Sequence, residues 1–192
     1  MTRYDIINNL IRVYGFRSFL EIGTAQGETF KSIDVPEKVS VDPDMNTAAT
    51  YHMTSDEYFK RHRAKFDIIF IDGLHEAEQA YRDIQNALKH LNQGGAIVVH
   101  DVHPEDERMQ QPYTNQHFWT GDVWKAFVKA RRELPYQTFV YDYDFGCGVI
   151  LTAYPNDEDL SDLPSDISKM TYQDFVNHPE WMNFVLTKEG VF

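Results

Sequence analysis

The segment Arg17-Ser-Phe-Leu-Glu-Ile-Gly-Thr-Ala-Gln-Gly-Glu28 constrains this chain most, because a short apolar run meets an acid and two glycines where a helix should begin. Phe19, Leu20 and Ile22 predict a buried strand. Gly23 and Gly27 let the backbone turn sharply and approach a ligand, and the next turn offers free N–H groups at a helix start. That arrangement seats a nucleotide-type cofactor. The spacing is E-x-G-x-x-x-G; a dinucleotide pyrophosphate needs G-x-G-x-x-G, and Thr24 and Ala25 stand where a second glycine would be required. An ordinary strand-to-helix turn would carry the same residues, so the downstream pattern has to decide.

Lys38-Val-Ser-Val-Asp42 reads as a second strand ending in an acid, roughly twenty residues past the glycines, where a Rossmann-type site sets a carboxylate against ribose hydroxyls. Asp42 is the ribose candidate. Thr54 to Phe59 predicts a polar strand end entering a helix, with Ser55 or Asp56 as N-cap. Phe66 to Asp72 is a nearly unbroken apolar run, as in a central parallel strand covered on both faces, and it ends in Asp72-Gly73 at the ligand edge. From Glu76 to Leu91 the apolar positions Ala77, Ala80, Tyr81, Ile84, Ala87, Leu88 and Leu91 form a helical stripe that stops at Asn92-Gln-Gly-Gly95. Ala96 to Val99 is the next buried strand and delivers His100-Asp101 to the same edge as Asp72.

The glycine segment resembles motif I of class I S-adenosylmethionine-dependent methyltransferases, and F-D-x-I-F-I-D-G-x-H with G-G-x-I-V-x-H-D resembles the later motifs of that fold. Over roughly residues 17 to 152 the chain is similar to a small bacterial group related to macrolide and aminocoumarin sugar O-methyltransferases, of the macrocin O-methyltransferase type. The resemblance implies a three-layer Rossmann-like α/β fold, doubly wound, mostly parallel with the last strand antiparallel. It implies S-adenosylmethionine held by Glu21, Gly23, Thr24, Gly27, Asp42, Ser55, Asp56 and Asp72, with the base read near Ser55 and Asp56. It also implies O-methylation of a small sugar or glycan precursor, as in polysaccharide biosynthesis. In that group an aspartate ending the fourth strand and an Asp-Asp pair ending the fifth hold a divalent cation, and an aspartate two residues after the first is the base. This chain keeps Asp72 and Asp101 as metal candidates, carries His100 at the first place of the pair, and has Leu74 where the base would stand. His75 is the nearest substitute.

The chemistry can be stated without the family. Methyl transfer from a sulfonium needs an in-line nucleophile, and a hydroxyl is a poor one near neutral pH unless a base or a metal removes its proton. Asp72, His75, His100, Asp101 and His103 offer both kinds of help. Imidazole with carboxylate suits Mn, Fe or Zn, Mg tolerates two aspartates with waters, and a histidine near its ordinary pKa can act as base with no metal. His75 would otherwise be a first-turn residue and His103 a loop residue before Pro104.

The stretch from Pro104 to Thr120 lacks periodicity, and its Tyr113, Phe118 and Trp119 suit either a lid over the acceptor or packing on the fold. Asp122 is expected to cap a helix running through Arg132, with Trp124 in the core. Gln137–Tyr141 and Gly148–Thr152 predict an antiparallel hairpin about residues 142–147. A helix from Tyr4 to Tyr14 should stop at Gly15, and Asp44 to Met53 is too short for a full helix and strand.

A net charge of -12 and a pI near 5.0 argue against nucleic-acid backbones and anionic membranes as partners. Residues 155–192 hold eight acids and two lysines; this part reads as an acidic linker and a helical extension on a domain spanning 1–154. Its apolar stretch, Tyr172 to Leu186, should dock as one or two short helices or form a homodimer contact. With no signal peptide, no long apolar run and a single cysteine, Cys147, a cytoplasmic enzyme is expected. Two other readings stay open: a non-catalytic nucleotide- or partner-binding module, and a metal-dependent hydrolase using Asp72, His100 and Asp101. A bulky residue at Gly23 is expected to separate the cofactor-dependent readings from the hydrolase.

Overall fold

The computed structural model describes residues 1–111 and 119–185. Helix α1 (Arg3–Tyr14) is fixed at both ends: Thr2 and Asp5 form a capping box, and Gly15, at φ +69°, ends it. The sheet strands are β1 (Ser18–Ile22), β2 (Glu37–Val41), β3 (Phe66–Ile71), β4 (Leu91–Val99), β5 (Tyr136–Tyr141), β6 (Cys147–Pro155) and β7 (Phe184–Val185), in the order β2-β1-β3-β4-β6-β5-β7. β1 pairs in parallel with β2 and β3, and β3 with β4. β6 runs antiparallel between β4 and β5, and β7 joins β5 in parallel.

Strand alternation divides the core between two faces. Phe19, Ile68, Phe70 and Val98 pack against α1 and the residues around α2 (Glu28–Ser32). Leu20, Ile22, Ile69, Ile71, Ile97 and Val99 pack against α3 (Ser55–Arg61), α4 (Ala77–Lys89) and α5 (Val123–Glu133). Helices on both faces explain why β1 and β3 are apolar almost throughout. The result is the expected three-layer, mostly parallel Rossmann-like α/β sheet.

Several local expectations give way to tertiary contacts. Thr54, rather than Ser55 or Asp56, is the N-cap of α3, accepting from Glu57 N. Helix α4 ends at Lys89, and β4 begins at once, so Asn92 to Gly95 lie inside a strand instead of stopping a helix. A Cβ at Gly95 would lie 2.5 Å from the Asp67 carbonyl oxygen, where the β3–β4 register shifts. The glycine therefore serves close strand approach. Between β2 and α3 a third strand is reduced to one bridge, Val41 with Tyr51, which fits the shortness of residues 44–53.

The C-terminal part is better anchored than its acidity suggests. Leu163, Ile167 and Met170 are buried, as are Phe175 of α6 (Tyr172–Asn177) and Met182. Phe175 and Met182, read as a possible dimer contact, thus belong to this chain's own core. Arg131, buried in α5, donates to Thr138 Oγ1 and to the carbonyls of Glu180 and Trp181, tying the tail to the sheet. Leu186 lies outside the described residues. No helix among the described residues is long and apolar enough to cross a membrane.

Candidate active site

A cleft of about 820 Å³ opens at the C-terminal ends of β1 to β4. It gathers Glu21, Gly23, Thr24, Asp42, Ser55, Asp56, Asp72, His75, His100 and Asp101 from the sequence candidates. Gly27 is not among its lining residues; at φ +71° it starts α2 and closes the loop through its N–H to Thr24 O. Gly23, at φ +86°, is needed for a different reason than ligand access: a Cβ there would lie 1.9 Å from the Asp72 carbonyl oxygen. A bulky residue at Gly23 would part β1 from the end of β3, so that substitution tests the fold before it tests any ligand.

The loop between these glycines is held by Asp42. Its Oδ2 accepts from Thr24 N and Ala25 N, both at 2.9 Å, and Oδ1 accepts from Asp44 N at 2.9 Å. Glu21 is 1 % exposed, and burial, then the neighbouring Asp72, pushes its carboxyl up to about 8. Glu21 Oε2 and Thr24 Oγ1 are buried without a hydrogen-bond partner. Orphaned polar atoms at a cleft wall suit a ligand that brings a cationic or donor group. Ser55 Oγ accepts from Gln79 Nε2 at 3.2 Å, and Gln79 donates in turn to Asp83, so the α3 end of the cleft is braced by α4.

At the other end stand Asp72, His75, His100 and Asp101. His100 Nδ1 lies 3.3 Å from Asp72 Oδ1 and 3.2 Å from Asp101 Oδ2, and its Nε2 is 3.7 Å from Asp144 Oδ1. Burial disfavours its charge, but the surrounding carboxylates overcome this and hold the imidazole well above its ordinary pKa. Asp72 is the mirror case: burial raises it, His100 and His75 outweigh that, and it stays below the usual carboxylate range. His75 Nε2 lies 3.5 Å from Asp72 Oδ1 and 3.2 Å from Asp101 Oδ2. Its pKa is raised too, burial being offset by the same two carboxylates. His75 Nδ1 is 2.9 Å from the Trp119 carbonyl oxygen, which fixes the ring with Nδ1 as donor and Nε2 toward the aspartates.

One ligand atom from each of Asp72, His75 and Asp101 lies within 4.8 Å of the others, so these residues could hold a divalent cation. This set takes His75 in place of the His100 named for a hydrolase. Asp101 adopts φ +60°, a conformation aspartate tolerates better than most side chains, which aims its carboxylate back between the two histidines. His103 plays no part here: it pairs with Asp142 and packs its ring against Phe175 and Phe184. Of the proposed aromatic lid, Trp119 lines the cleft beside His75, with ring centroids 4.8 Å apart, while Tyr113 and Phe118 lie outside the described residues. Trp124 is fully buried, as expected.

Arg3, Thr29 and Asp144 also line the cleft, and no local pattern in the sequence marks them. Arg3 bonds Asp144 through its backbone N–H and its guanidinium, 141 residues along the chain, a pairing with no local signal.

Comparison with known proteins agrees with this architecture. A family model described as a methyltransferase domain matches residues 39–102, from β2 past the Asp72 and His100-Asp101 strand ends. No curated protein matches by sequence. Among solved structures the fold is similar to an O-methyltransferase from Bacillus cereus in complex with SAH, at TM-score 0.59 and 16 % identity over 78 % of this chain and 80 % of that one. It is also similar to the O-methyltransferase TomG from Streptomyces achromogenes in complex with SAM, at TM-score 0.58 and 16 % identity over 78 % of each chain. The N-methyltransferase NodS from Bradyrhizobium japonicum gives TM-score 0.52 and 15 % identity over 80 % of this chain and 95 % of that one. The fold is that of the class I methyltransferases.

Proposed function

We propose that this protein is an S-adenosylmethionine-dependent methyltransferase that methylates a hydroxyl of a small polar acceptor, a sugar or glycan precursor being the preferred class. The observation that carries the reading is a single cleft with two ends. One end is a glycine loop clamped by Asp42 beside the buried, unpartnered Oε2 of Glu21; the other is an imidazole–carboxylate cluster at the strand ends. The methyltransferase-domain match across that cluster supports it.

In this reading Asp42 takes the ribose hydroxyls, Ser55 and Asp56 border the adenine, and Glu21 and Asp72 face the charged amino-acid portion. His75 is the general base. Its Nδ1–H is committed to the Trp119 carbonyl, so Nε2, between the two aspartates, is the nitrogen left to take up the acceptor's proton. Asp72 and Asp101 stabilise the imidazolium that forms, at 3.5 and 3.2 Å. His100, held cationic among the carboxylates, limits their mutual repulsion. Asp72, His75 and Asp101 fit a divalent ion such as Mn by donor type and spacing, whereas Mg would be held by the two aspartates alone, and a bound ion would supply Lewis-acid help to the acceptor oxygen. An ion held by all three would occupy His75 Nε2, so its help and His75 base catalysis are alternatives at this site.

Calorimetric titration of S-adenosylmethionine and S-adenosylhomocysteine into EDTA-treated protein, repeated with Mg and Mn and with NAD as comparison, tests the reading. Micromolar binding of both adenosyl ligands and none of NAD is expected. Absence of adenosyl binding under all conditions would sink it.

A further inference from the structure

The charge of the cleft wall is one-sided. Six carboxylates and the protonated carboxyl of Glu21 line it, and Arg3 is the one lysine or arginine among the described lining residues. The ligand proposed above carries two cations, a sulfonium and an ammonium, and one anion, an α-carboxylate. An acidic wall favours the cations and repels the carboxylate, so the carboxylate needs a partner; His100 is enclosed by Asp72, Asp101 and Asp144, which leaves Arg3 as the cation with donors to spare.

Arg3 is placed for that task. The Thr2 capping box starts α1 so that Arg3 is its first helical residue, and buried Ile6, Ile7 and Leu10 anchor the helix on the sheet. Its Nε donates to Thr29 Oγ1 at 2.8 Å, and Nη1 to Asp144 at 3.1 Å. Nη2 makes one long contact, 3.5 Å to the exposed Glu28. Asp72 Oδ2 lies 4.0 Å from Nε. The guanidinium is thus fixed between the start of α2 and the end of β3, beside the end of the cleft assigned to the amino-acid portion. Of the five N–H donors an arginine carries, those on Nη2 are the least used. A preorganised fork with spare donors is what a carboxylate binds best.

We infer that Arg3 is the residue that recognises the cofactor's α-carboxylate, and that this one contact makes the cleft select an intact amino-acid portion. The inference rests on the cofactor reading above. Its consequence is that the N-terminal helix is part of the binding site as well as a cover for the sheet.

The test compares S-adenosylmethionine with its decarboxylated form, which keeps the adenosine, sulfonium and amine, on wild type and on Arg3→Met. Wild type should prefer the intact ligand by about 10- to 100-fold, the effect of one charge-assisted hydrogen-bonded pair. Arg3→Met should erase that preference while binding the decarboxylated ligand within about threefold of wild type, and Arg3→Lys should restore part of it. The unchanged binding of the decarboxylated ligand also reports that the variant is folded. An equal loss for both ligands, or a preference that survives in Arg3→Met, would overturn the inference and leave Arg3 as an anchor for Asp144. Wild type taking neither ligand would overturn the cofactor reading itself, and this inference with it.

Discussion

The carboxylate of Asp122 accepts the backbone N–H of Ala77 at 2.7 Å, so the residue that begins α5 caps α4. Sequence spacing assigns Asp122 to its own helix, yet it makes no side-chain cap there. The cross-helix cap lies two residues from His75, whose ring is held by the Trp119 carbonyl and whose backbone is met closely by Gly121. Residues 119–122 therefore form the mould that sets the proposed base.

Asp122→Ala should lower stability by about 1–2 kcal/mol, the usual range for a lost charged cap. Because α4 starts beside His75, turnover should fall more than cofactor affinity. Urea unfolding and a kcat-against-Kd comparison check both parts, and an unchanged unfolding midpoint would contradict the capping role.

Gly121→Ala should be worse. Gly121 sits at φ +58°, and a Cβ would come within 1.7 Å of the His75 carbonyl oxygen, so the loop must move. A loss of at least about 2 kcal/mol is expected. Gly15→Ala, at φ +69° with open space around it, should show only the backbone strain and supplies the control.

Glu21 predicts a pH-dependent stability. Its carboxyl is pushed up to about 8 by burial and by Asp72, against an ordinary value of 4.5. Between those values the unfolded chain releases the proton and the folded one keeps it, so Glu21 makes stability fall as pH rises. The slope is about 1.4 kcal/mol per pH unit, and the full loss is in place above about pH 8. Glu21→Gln should remove that slope: similar to wild type near pH 4, it should be clearly more stable at pH 9. Denaturant titrations at pH 5, 7 and 9 measure the difference, and a pH-independent gap would refute it.

Asp42→Asn should keep one acceptor for the Thr24 and Ala25 N–H groups but lose the charge. Cofactor affinity is expected to drop about 10- to 100-fold, by calorimetry, with the melting temperature moving little.

His75→Ala should reduce kcat by about 10²- to 10⁴-fold with cofactor binding within a few-fold of wild type. A base must be unprotonated, and the His75 pKa is raised by its aspartates. The wild-type rate should therefore climb with pH through a value above that of ordinary imidazole, and the limb should vanish in the variant. A rate insensitive to His75 would move the base elsewhere.

The β1–loop–α2 unit, the β3 run ending in Asp72, the amphipathic α4 and the β5–β6 hairpin were legible in order, because each is written in a local pattern of apolar period, glycine and acid. The same patterns placed Asp42, Asp72 and His100-Asp101 at strand ends on one edge. Boundaries failed where a distant group outweighed the local signal: Asp67 draws Asn92 into β4 by accepting from its side chain at 2.7 Å, overriding a helix stop.

What the sequence by itself determined is the order of strands and helices, and hence the edge on which a ligand site must lie. Only the tertiary structure decided that His75 is clamped by Trp119 and Gly121, that Asp122 caps another helix, and that Arg3 and Asp144 meet across 141 residues at the cleft. Periodicity records which face of an element is buried; it carries no information on which remote polar group will satisfy a given donor, since that follows from how the finished layers pack.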